Sequence, residues 1–496
     1  MGIIQKDALR TMIISYFGLV LGYLNKGVLF LLFLKTEEIG LINLVVSIGF
    51  LFAQFANLGS IFTIWKFYPF FKNDRNNDNG FLAFNFITIL IGVSIFSILY
   101  LILKEDISYL YMQRSSRFLE HYYLVLPVGI GFGFYLLFDN YLRSLYKNIV
   151  SVFVNDIFLR LLNTLLIVIY GFDLISFDFL ITSICLSYVL PPIILYFYMR
   201  VIGKGTMLVS QINVPKRFRK IILSYSAFSY FNSMTSIVVI TIDTVMVASF
   251  LGLKETGVYT TMVYFTSVFL IPYRSLLRVS NPIVSEQWKL KDMNAMSVLY
   301  KKMSSVVLVI GLFLFFLVWI NRVELFGFLP EDFNQGIYVF SFLMIGKLVD
   351  MYFGLNGTIF VTSKKYKYDI IFTICLLFIV IAMNLVLIPI YGMIGAAIST
   401  SFAYLVYNFG RLIFVWNAFS LNPFKLGQLK VFILFSGLYA LFEIISISTG
   451  NIFANIIIRW SIYMVIIGFA FLIIKIEPEI SDYFDLVIKK IKKKRK

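Results

Sequence analysis

The sequence predicts an all-α protein that crosses a membrane many times, and three observations support this prediction. Of its 496 residues, 60% are hydrophobic and 14% are charged, a balance unlike that of soluble domains. Apolar runs of about 20 residues, the length that an α-helix needs to cross the hydrocarbon core, recur from end to end. The stretches between these runs are short, so none of them can fold as a separate domain.

The apolar runs predict about fourteen transmembrane helices. The run after Arg10 is long enough to span and lacks a small-residue cleavage site, so we interpret it as the first helix and not as a signal peptide. Residues 481–496 predict a short amphipathic surface helix that ends in a basic cluster. In chain order, the predicted spans are 11–34, 41–64, 81–103, 121–142, 149–170, 174–198, 221–250, 256–282, 304–321, 336–360, 368–390, 393–418, 428–447 and 452–474.

An internal repeat predicts two homologous halves. Lys26 lies 14 residues before Gly40, and Asp243 lies 14 residues before Gly257. At this offset of 217, seven of 27 aligned pairs are identical, and NTLLIVIYG at 163–171 resembles NLVLIPIYG at 384–392 at an offset of 221. Many transporters are built from two such halves. We therefore predict pseudo-symmetric six-helix bundles over 1–205 and 206–420, two extra transmembrane helices over 421–475 and a basic cytoplasmic tail over 476–496.

The placement of lysine and arginine predicts the orientation of the chain in the membrane. With the N-terminus in the cytoplasm, the predicted inside segments hold 30 of the 43 basic residues and the outside turns hold 6. Because cytoplasmic loops of membrane proteins are enriched in these residues, both termini are expected in the cytoplasm. The same asymmetry explains the net charge of +17 without a nucleic-acid partner.

Seven basic residues fall inside the predicted spans, where ionisable groups by default mark a pathway or a binding site. Arg160 follows Asp156 by four residues and Lys347 precedes Asp350 by three, so each pair can meet on one helix face. Two more can be explained without a ligand. Arg411 lies near a cytoplasmic end and can extend to the headgroups. Arg459 lies in the outer part of the last helix, where it has no identified partner and can face the headgroups. The seven are Lys26, Arg160, Arg274, Arg278, Lys347, Arg411 and Arg459.

Lys26, Arg274 and Arg278 differ from the others because they accompany stripes of polar residues at helical spacing. Such stripes face other helices or water and not lipid. They predict a central cavity, although hydrogen bonding between helices would also account for them. The planar guanidinium of arginine suits phosphate oxygens in such a cavity. The stripes comprise Asn43, Ser47, Gln54 and Asn57; Ser229, Asn232, Ser233, Ser236 and Asp243; and Thr260, Tyr264, Ser267, Arg274, Arg278 and Asn281.

No enzymatic motif is found in the sequence. A phosphate-binding loop of the GxxxxGK[ST] type is absent, so ATP is not expected to be the direct energy source. His121, the single histidine, has no nucleophile near it in the predicted helix. Cys185 and Cys375 lie far apart in apolar segments and predict neither a disulfide framework nor a zinc site. We expect no catalytic residue, no cofactor and no metal.

Two segments resemble a known family, and the resemblance extends over essentially the whole chain. The segments IDTVMVASFLGLKETGVYTTMVYF and NLVLIPIYGMIGAAISTSFAYLVYN are similar to the polysaccharide-export branch of the multidrug/oligosaccharidyl-lipid/polysaccharide exporter superfamily. Within that branch, the chain is most similar to bacterial oligosaccharide-lipid flippases of the O-antigen type. The resemblance implies a V-shaped pair of six-helix bundles in the inner membrane that alternates between inward-open and outward-open states.

The resemblance also implies a substrate. The family moves undecaprenyl-diphosphate-linked glycans and holds the diphosphate in a cationic cavity. Lys26, Arg274 and Arg278 fall on the cavity helices where the family has basic residues, whereas the second helix offers Gln54 and Asn57 in place of a cation. Ser236 and Tyr264 complete the expected cavity lining. We expect a monomer in contact with membrane lipids, coupled to H⁺ or Na⁺ or to the membrane potential, and working with polysaccharide-assembly proteins.

Two other functions stay open at this point. A cation-coupled multidrug exporter needs an acidic cavity, but the cavity helices hold Lys26, Arg274 and Arg278 against Asp243, a net charge of +2. A membrane glycan polymerase or acyltransferase is a third alternative. For gating or coupling, Lys26 and Asp243 occupy equivalent positions of the two halves and are expected to pair when the bundles close at that level. Lys347 and Asp350 are the second predicted gating or coupling pair.

Overall fold

The computed structural model describes residues 3–73, 78–207, 212, 216–444 and 449–472, without the side chains of 3–9, 62, 65, 216–217, 228–229, 231–233, 236 and 472. In these ranges every regular element is a helix. The predicted basic tail at 476–496, with its surface helix at 481–496, lies outside the described residues. The prediction of an all-α protein is thus confirmed for the part of the chain that the structure describes.

The described residues up to position 212 form twelve α-helices and two π-helical turns, together with short 3-10 helices such as Tyr122–Leu124. The π turns, Leu24–Leu29 and Val154–Phe158, interrupt otherwise continuous helices, and the first of them contains Lys26. Such turns hold one residue more than an α-helical turn and occur often at functional sites. The helices are α1 (Ile3–Tyr23), α2 (Phe30–Phe33), α3 (Thr36–Ala56), α4 (Ser60–Phe71), α5 (Phe81–Ile102), α6 (Lys104–Tyr111), α7 (Ser116–Glu120), α8 (Val125–Ser144), α9 (Ile149–Phe153), α10 (Leu159–Gly171), α11 (Phe177–Ser187) and α12 (Leu190–Val201).

The described residues from position 216 onward form ten α-helices and two short 3-10 helices (Glu331–Phe333 and Tyr366–Tyr368). Gly392, at φ +61°, breaks the longest of them near the boundary predicted between the spans 368–390 and 393–418. This left-handed backbone conformation favours glycine because it has no Cβ. The helices are α13 (Lys216–Phe250), α14 (Leu253–Val268), α15 (Leu270–Leu290), α16 (Met293–Trp319), α17 (Arg322–Gly327), α18 (Gly336–Phe353), α19 (Leu355–Thr362), α20 (Asp369–Phe419), α21 (Leu426–Ile444) and α22 (Ile452–Leu472).

Eleven helices in the described ranges are long and apolar enough to cross a membrane. The protein is therefore a multi-pass membrane protein, and the count of fourteen spans stays a prediction. Two predicted spans merge in the stretch Tyr366–Phe419. The predicted span 256–282 is divided between α14 and α15. The predicted span 221–250 lies within α13, in which Ile237–Phe250 is an apolar stretch whose side chains are all described. In α15, polar and charged side chains such as Arg274 and Arg278 interrupt the apolar sequence.

The chain divides into two compact units. The first contains Met1–Thr261 and Asn384–Met393, and the second contains Met262–Met383 and Ile394–Lys496. The domain boundaries predicted from the repeat, 1–205, 206–420, 421–475 and 476–496, stay predictions.

Each unit has its own apolar core. In the first unit, α3, α4, α5 and α8 enclose a core rich in aromatic side chains, in which the rings of Phe71 and Phe81 stack at 4.7 Å. In the second unit, α15, α16 and α19 share one core, and a separate cluster joins α16 to α21 and α22. In that cluster, Tyr463 donates a hydrogen bond to the carbonyl of Phe313 (2.9 Å) and Trp460 donates to the carbonyl of Leu317 (2.8 Å). The two C-terminal helices therefore pack on α16.

Candidate functional site

Lys26 lies in the π turn between α1 and α2. Its Nζ donates a hydrogen bond to Oδ1 of Asn43 on α3 (2.9 Å). The preceding residue, Asn25, turns toward α10 instead: its amide donates to the carbonyl of Arg160 (2.9 Å) and accepts from the hydroxyl of Thr164 (2.7 Å). The π turn therefore presents two consecutive polar side chains to two different helices.

Asp243 on α13 is buried and accepts hydrogen bonds from Tyr259 and Asn384. Tyr259 Oη donates to Oδ2 (2.8 Å) and Asn384 Nδ2 donates to Oδ1 (2.7 Å). Asn384 opens the second copy of the repeated segment at 384–392, in the place that Asn163 has in the first copy. The pairing of Lys26 with Asp243 during gating stays a prediction. In the structure, Lys26 contacts Asn43, and Asp243 contacts Tyr259 and Asn384.

Residues that the repeat relates to each other also meet in the structure. Asn43 Nδ2 donates to Oγ1 of Thr260 (3.1 Å), and the two residues are 217 positions apart. A Cβ on Gly40 would lie 1.8 Å from the carbonyl oxygen of Leu253, and a Cβ on Gly257 would lie 2.0 Å from that of Thr36. Thr36 and Leu253 are again separated by 217 positions. This reciprocal pattern is the one that a two-fold axis between α3 and α14 produces.

We call this contact the seam and define it by Thr36, Gly40, Asn43, Leu253, Gly257 and Thr260. All six residues belong to the first compact unit. The two glycines bring the backbones of α3 and α14 into direct contact, because any side chain at either position would overlap a carbonyl group. The repeat in the sequence aligned these residues, but it did not indicate that they touch.

Arg274 and Arg278 lie one turn apart on α15, and both side chains are exposed. Neither has a hydrogen-bond or ion-pair partner within the described ranges of the chain. The next polar residue along that face, Asn281, accepts a hydrogen bond from Thr358 Oγ1 (2.7 Å). The second unit thus presents two adjacent guanidinium groups in a segment that the sequence places in the membrane.

The predicted lining residues Gln54 and Asn57 are buried at the end of α3. Asn57 Nδ2 donates to the carbonyl of Gln54 (2.8 Å), and its Oδ1 accepts from the backbone amide of Gly59 (2.7 Å). These bonds shape the turn to α4. Tyr264 is half-buried on α14, and Ser236 lies on α13 with its side chain outside the described part. The roles of all four in binding substrate stay predictions.

Lys347 and Asp350 on α18 each contact the second segment of α20. Nζ of Lys347 lies 5.1 Å from the ring centroid of Tyr404, and Asn408 Nδ2 donates to Oδ1 of Asp350 (3.3 Å). A cation over an aromatic face is a favourable contact in a desolvated site. Their role in gating or coupling stays a prediction.

Two arginines have partners that the sequence did not reveal. Arg411 was expected to extend to the headgroups, but it is buried, forms an ion pair with Asp369 and lies over the ring of Tyr407 (4.6 Å). Arg459, for which the sequence offered no partner, forms an ion pair with Glu324 (2.7 Å). Both partners are distant in sequence, so no spacing rule could identify them.

Arg160 has the partner that the sequence indicated. Its guanidinium lies 3.9 Å from the Asp156 carboxylate, four residues earlier, and also donates to the carbonyl of Gly18 on α1. Within the described residues, no group of three or more histidine, cysteine, aspartate or glutamate side chains could hold a metal ion.

The fold is similar to that of solved membrane transporters. A structure of the lipid II flippase MurJ in an inward closed conformation has a TM-score of 0.68 at 16% identity, covering 93% of this chain and 98% of that one. An inward-facing multidrug resistance MATE family transporter of the MOP superfamily has a TM-score of 0.61 at 13% identity, covering 81% and 94%. A MOP superfamily transporter from Pyrococcus furiosus, described by the reverse polarity of its binding pocket, has a TM-score of 0.53 at 12% identity, covering 84% and 96%.

No protein-family model and no curated protein sequence matches the chain. At these low identities the similarity establishes the fold and not the substrate. The protein is therefore a multi-pass membrane protein with a fold similar to that of these solved transporters. The similar solved structures named above are transporters and not enzymes.

Proposed function

We propose that the protein is a flippase. It translocates a polyprenyl-diphosphate-linked oligosaccharide from the cytoplasmic to the outer leaflet of the bacterial inner membrane by alternating access, and it serves cell-surface polysaccharide synthesis of the O-antigen type. The observation that supports this proposal most is the pair Arg274 and Arg278, exposed and without a partner among the described residues. Both arginines belong to the predicted span 256–282, and unpartnered cations in such a span are expensive unless a phosphate ligand offsets that cost.

The chemistry of the two arginines favours a diphosphate. Two guanidinium groups one helical turn apart provide about ten N–H donors along one helix face, and a diphosphate offers several charged oxygens that can accept from them. In this proposal the diphosphate meets Arg278, then Arg274, and later Lys26. The glycan contacts Gln54, Asn57, Ser236 and Tyr264, and Asp243, Lys347 and Asp350 act in gating or coupling to H⁺ or Na⁺.

The proposed flippase has the architecture expected from the sequence. It has fourteen spans, both termini in the cytoplasm, bundles over 1–205 and 206–420, extra helices over 421–475 and the tail over 476–496. The protein works as a monomer, with polysaccharide-assembly proteins as partners.

A multidrug exporter is the second candidate, because a MATE family transporter is among the similar structures. The buried carboxylate of Asp243 is the group on the predicted cavity helices that a cationic drug would require. It already accepts hydrogen bonds from Tyr259 and Asn384. The exposed charges of Arg274 and Arg278 repel cations. Organic-cation efflux that persists without glycan synthesis would support this candidate over the flippase.

Arg274→Ala and Arg278→Ala test the proposed function in cells. Each variant is expected to reduce surface glycan by at least about tenfold, because a charge-assisted contact contributes roughly 1.5–3 kcal/mol. Lys289→Ala provides the matched control, since Lys289 is an exposed cation on the same helix but lies in its last turn. Surface glycan would be measured at matched expression. Full activity of both arginine variants would contradict the proposal that Arg274 and Arg278 bind the diphosphate.

A further inference from the structure

The seam is linked to Lys26 by one side chain. Asn43 accepts from Lys26 through Oδ1 (2.9 Å) and donates to Thr260 through Nδ2 (3.1 Å). Thr260 in turn donates to the carbonyl of Thr256 (2.8 Å). A chain of hydrogen bonds therefore runs from the Lys26 ammonium through α3 and into α14. Hydrogen bonds in such a chain polarise and strengthen one another.

Asn43 is buried, so it depends on both of these bonds. The residue is 8% exposed. If the ammonium moves to another partner, the carbonyl oxygen of Asn43 loses a charge-assisted bond at a largely buried position. A buried polar group left without a partner is unfavourable, and the remaining bond in the chain weakens at the same time. Separation of α3 and α14 would let water satisfy the amide.

The seam is packed too closely to adjust to the loss of this hydrogen bond by a small shift. Gly40 and Gly257 already bring backbone against backbone. The segment around α6 also contacts α13, close to the seam in sequence. Ser115 Oγ donates to the carbonyl of Ala248 (2.7 Å), and Tyr111 Oη donates to that of Val245 (3.3 Å). Contacts packed this closely have discrete closed and open arrangements and do not deform gradually.

We propose that Asn43 is a positioning residue that couples anion binding at Lys26 to opening of the seam. A phosphate that takes the Lys26 ammonium from Asn43 weakens the Asn43–Thr260 bond, and the seam then separates. The inference rests on the proposed function, because it assumes that the anionic part of a lipid-linked substrate reaches Lys26. It assigns to Asn43 a role in coupling and not in direct contact with substrate.

Thiol labelling of a reporter in the seam tests this inference. Thr256 is fully buried beside Gly257, so Thr256→Cys reports opening through its reaction with a maleimide. The background carries Cys185→Ala and Cys375→Ser, which removes both native thiols. Geranyl diphosphate is the probe, added to the full-length protein in detergent, and its binding is measured separately by calorimetry.

Three variants separate coupling from packing. Asn43→Leu removes both bonds, and Thr260→Val breaks the chain at its far end with little change in volume. Asn25→Leu is the matched control, because Asn25 is a similarly buried asparagine next to Lys26 that faces α10. We expect the probe to raise the labelling rate about tenfold in the parent and in Asn25→Leu. In Asn43→Leu and Thr260→Val, labelling should already be fast and should not respond to the probe.

Each outcome decides the inference. Slow basal labelling of Thr260→Val with a full response to the probe would overturn it, even if Asn43→Leu fails to fold. Binding of geranyl diphosphate to the parent without any change in labelling would also overturn it, while leaving the proposed function intact. No binding of the probe to the parent would contradict the proposed function and the inference together.

Discussion

At the scale of single residues, ion pairs divide into those that sequence spacing reveals and those that only the fold creates. Arg160 and Asp156 are four positions apart on one helix, so their contact was predictable. Arg411 and Asp369 are 42 positions apart and Arg459 and Glu324 are 135 apart. Hydropathy shows that such arginines lie in spans, but the partner depends on how distant helices pack.

The ion pair of Arg411 with Asp369 should be important for stability. Arg411→Ala leaves the Asp369 carboxylate, whose side chain is only 13% exposed, without its partner, which costs about 3 kcal/mol. Arg322 provides the comparison, because its pair with Glu443 (2.7 Å) is more exposed. Arg322→Ala should cost at most about 1 kcal/mol. Thermal unfolding in detergent measures both, and an equal effect of the two variants would show that burial does not decide the strength of these pairs.

A second buried carboxylate, Asp78, supports the same argument in the first unit. It is fully buried and accepts from Tyr141 Oη (2.7 Å) and from Lys204 Nζ (3.2 Å). Lys204 is one of the 30 basic residues that the sequence predicted for the inside segments, and its partner could not be predicted. Asp78→Ala should lower the free energy of unfolding by about 3–5 kcal/mol. Asp292→Ala, which loses an exposed helix cap, should cost only about 1 kcal/mol under the same unfolding assay. Equal losses of unfolding free energy in the two variants would show that the buried contacts of Asp78 do not stabilise the fold more than an exposed helix cap does.

At the scale of helices, the sequence predicted most elements but not their irregularities. The break at Gly392 falls between two predicted spans, because a glycine after a long apolar run marks a boundary. The π turns at Leu24–Leu29 and Val154–Phe158 were not predictable, since one additional residue in a turn leaves no mark in composition. The separation of α14 from α15, which falls at Phe269 within an apolar run, was also not predicted.

The seam makes a prediction at this scale. Gly257→Ala places a Cβ against the Thr36 carbonyl, and the two helices must move apart, at a cost of about 1–3 kcal/mol. Gly468→Ala on α22 is the control: its Cβ meets open space, so this change should be neutral or should stabilise the helix by up to about 1 kcal/mol. Thermal unfolding of the two variants gives the comparison. If Gly257→Ala is as stable as Gly468→Ala, the close approach of α3 and α14 is wrong.

At the scale of the whole molecule, the repeat predicted which residues are equivalent, and the structure adds which of them touch. Asn43 and Thr260 are equivalent and hydrogen-bonded. Lys26 and Asp243 are equivalent and carry opposite charges, with Asn43 as one partner of the first and Tyr259 and Asn384 as partners of the second. An alignment of halves gives equivalence without contact, which is why the site could be predicted only as a set of residues.

The gate formed by Lys26 and Asp243 remains a prediction for transport in cells. Lys26→Asp and Asp243→Lys should each impair surface glycan export, because either change leaves two like charges at equivalent positions. An uncompensated buried charge costs roughly 3–5 kcal/mol, enough to shift a two-state carrier strongly. The double swap should recover part of the activity. A double variant no better than the worse single one would show that the two residues do not act as a pair.

The central claim is that this protein moves a polyprenyl-diphosphate-linked glycan across a membrane. Its most direct test is a flipping assay in proteoliposomes that contain a fluorescent polyprenyl-diphosphate oligosaccharide, with an impermeant quencher added outside. We expect the wild-type protein to expose the inner-leaflet substrate to the quencher, whereas the double variant Arg274→Ala, Arg278→Ala should behave like protein-free vesicles. The claim would be contradicted if the quencher removed no more fluorescence from vesicles with the wild-type protein than from protein-free vesicles.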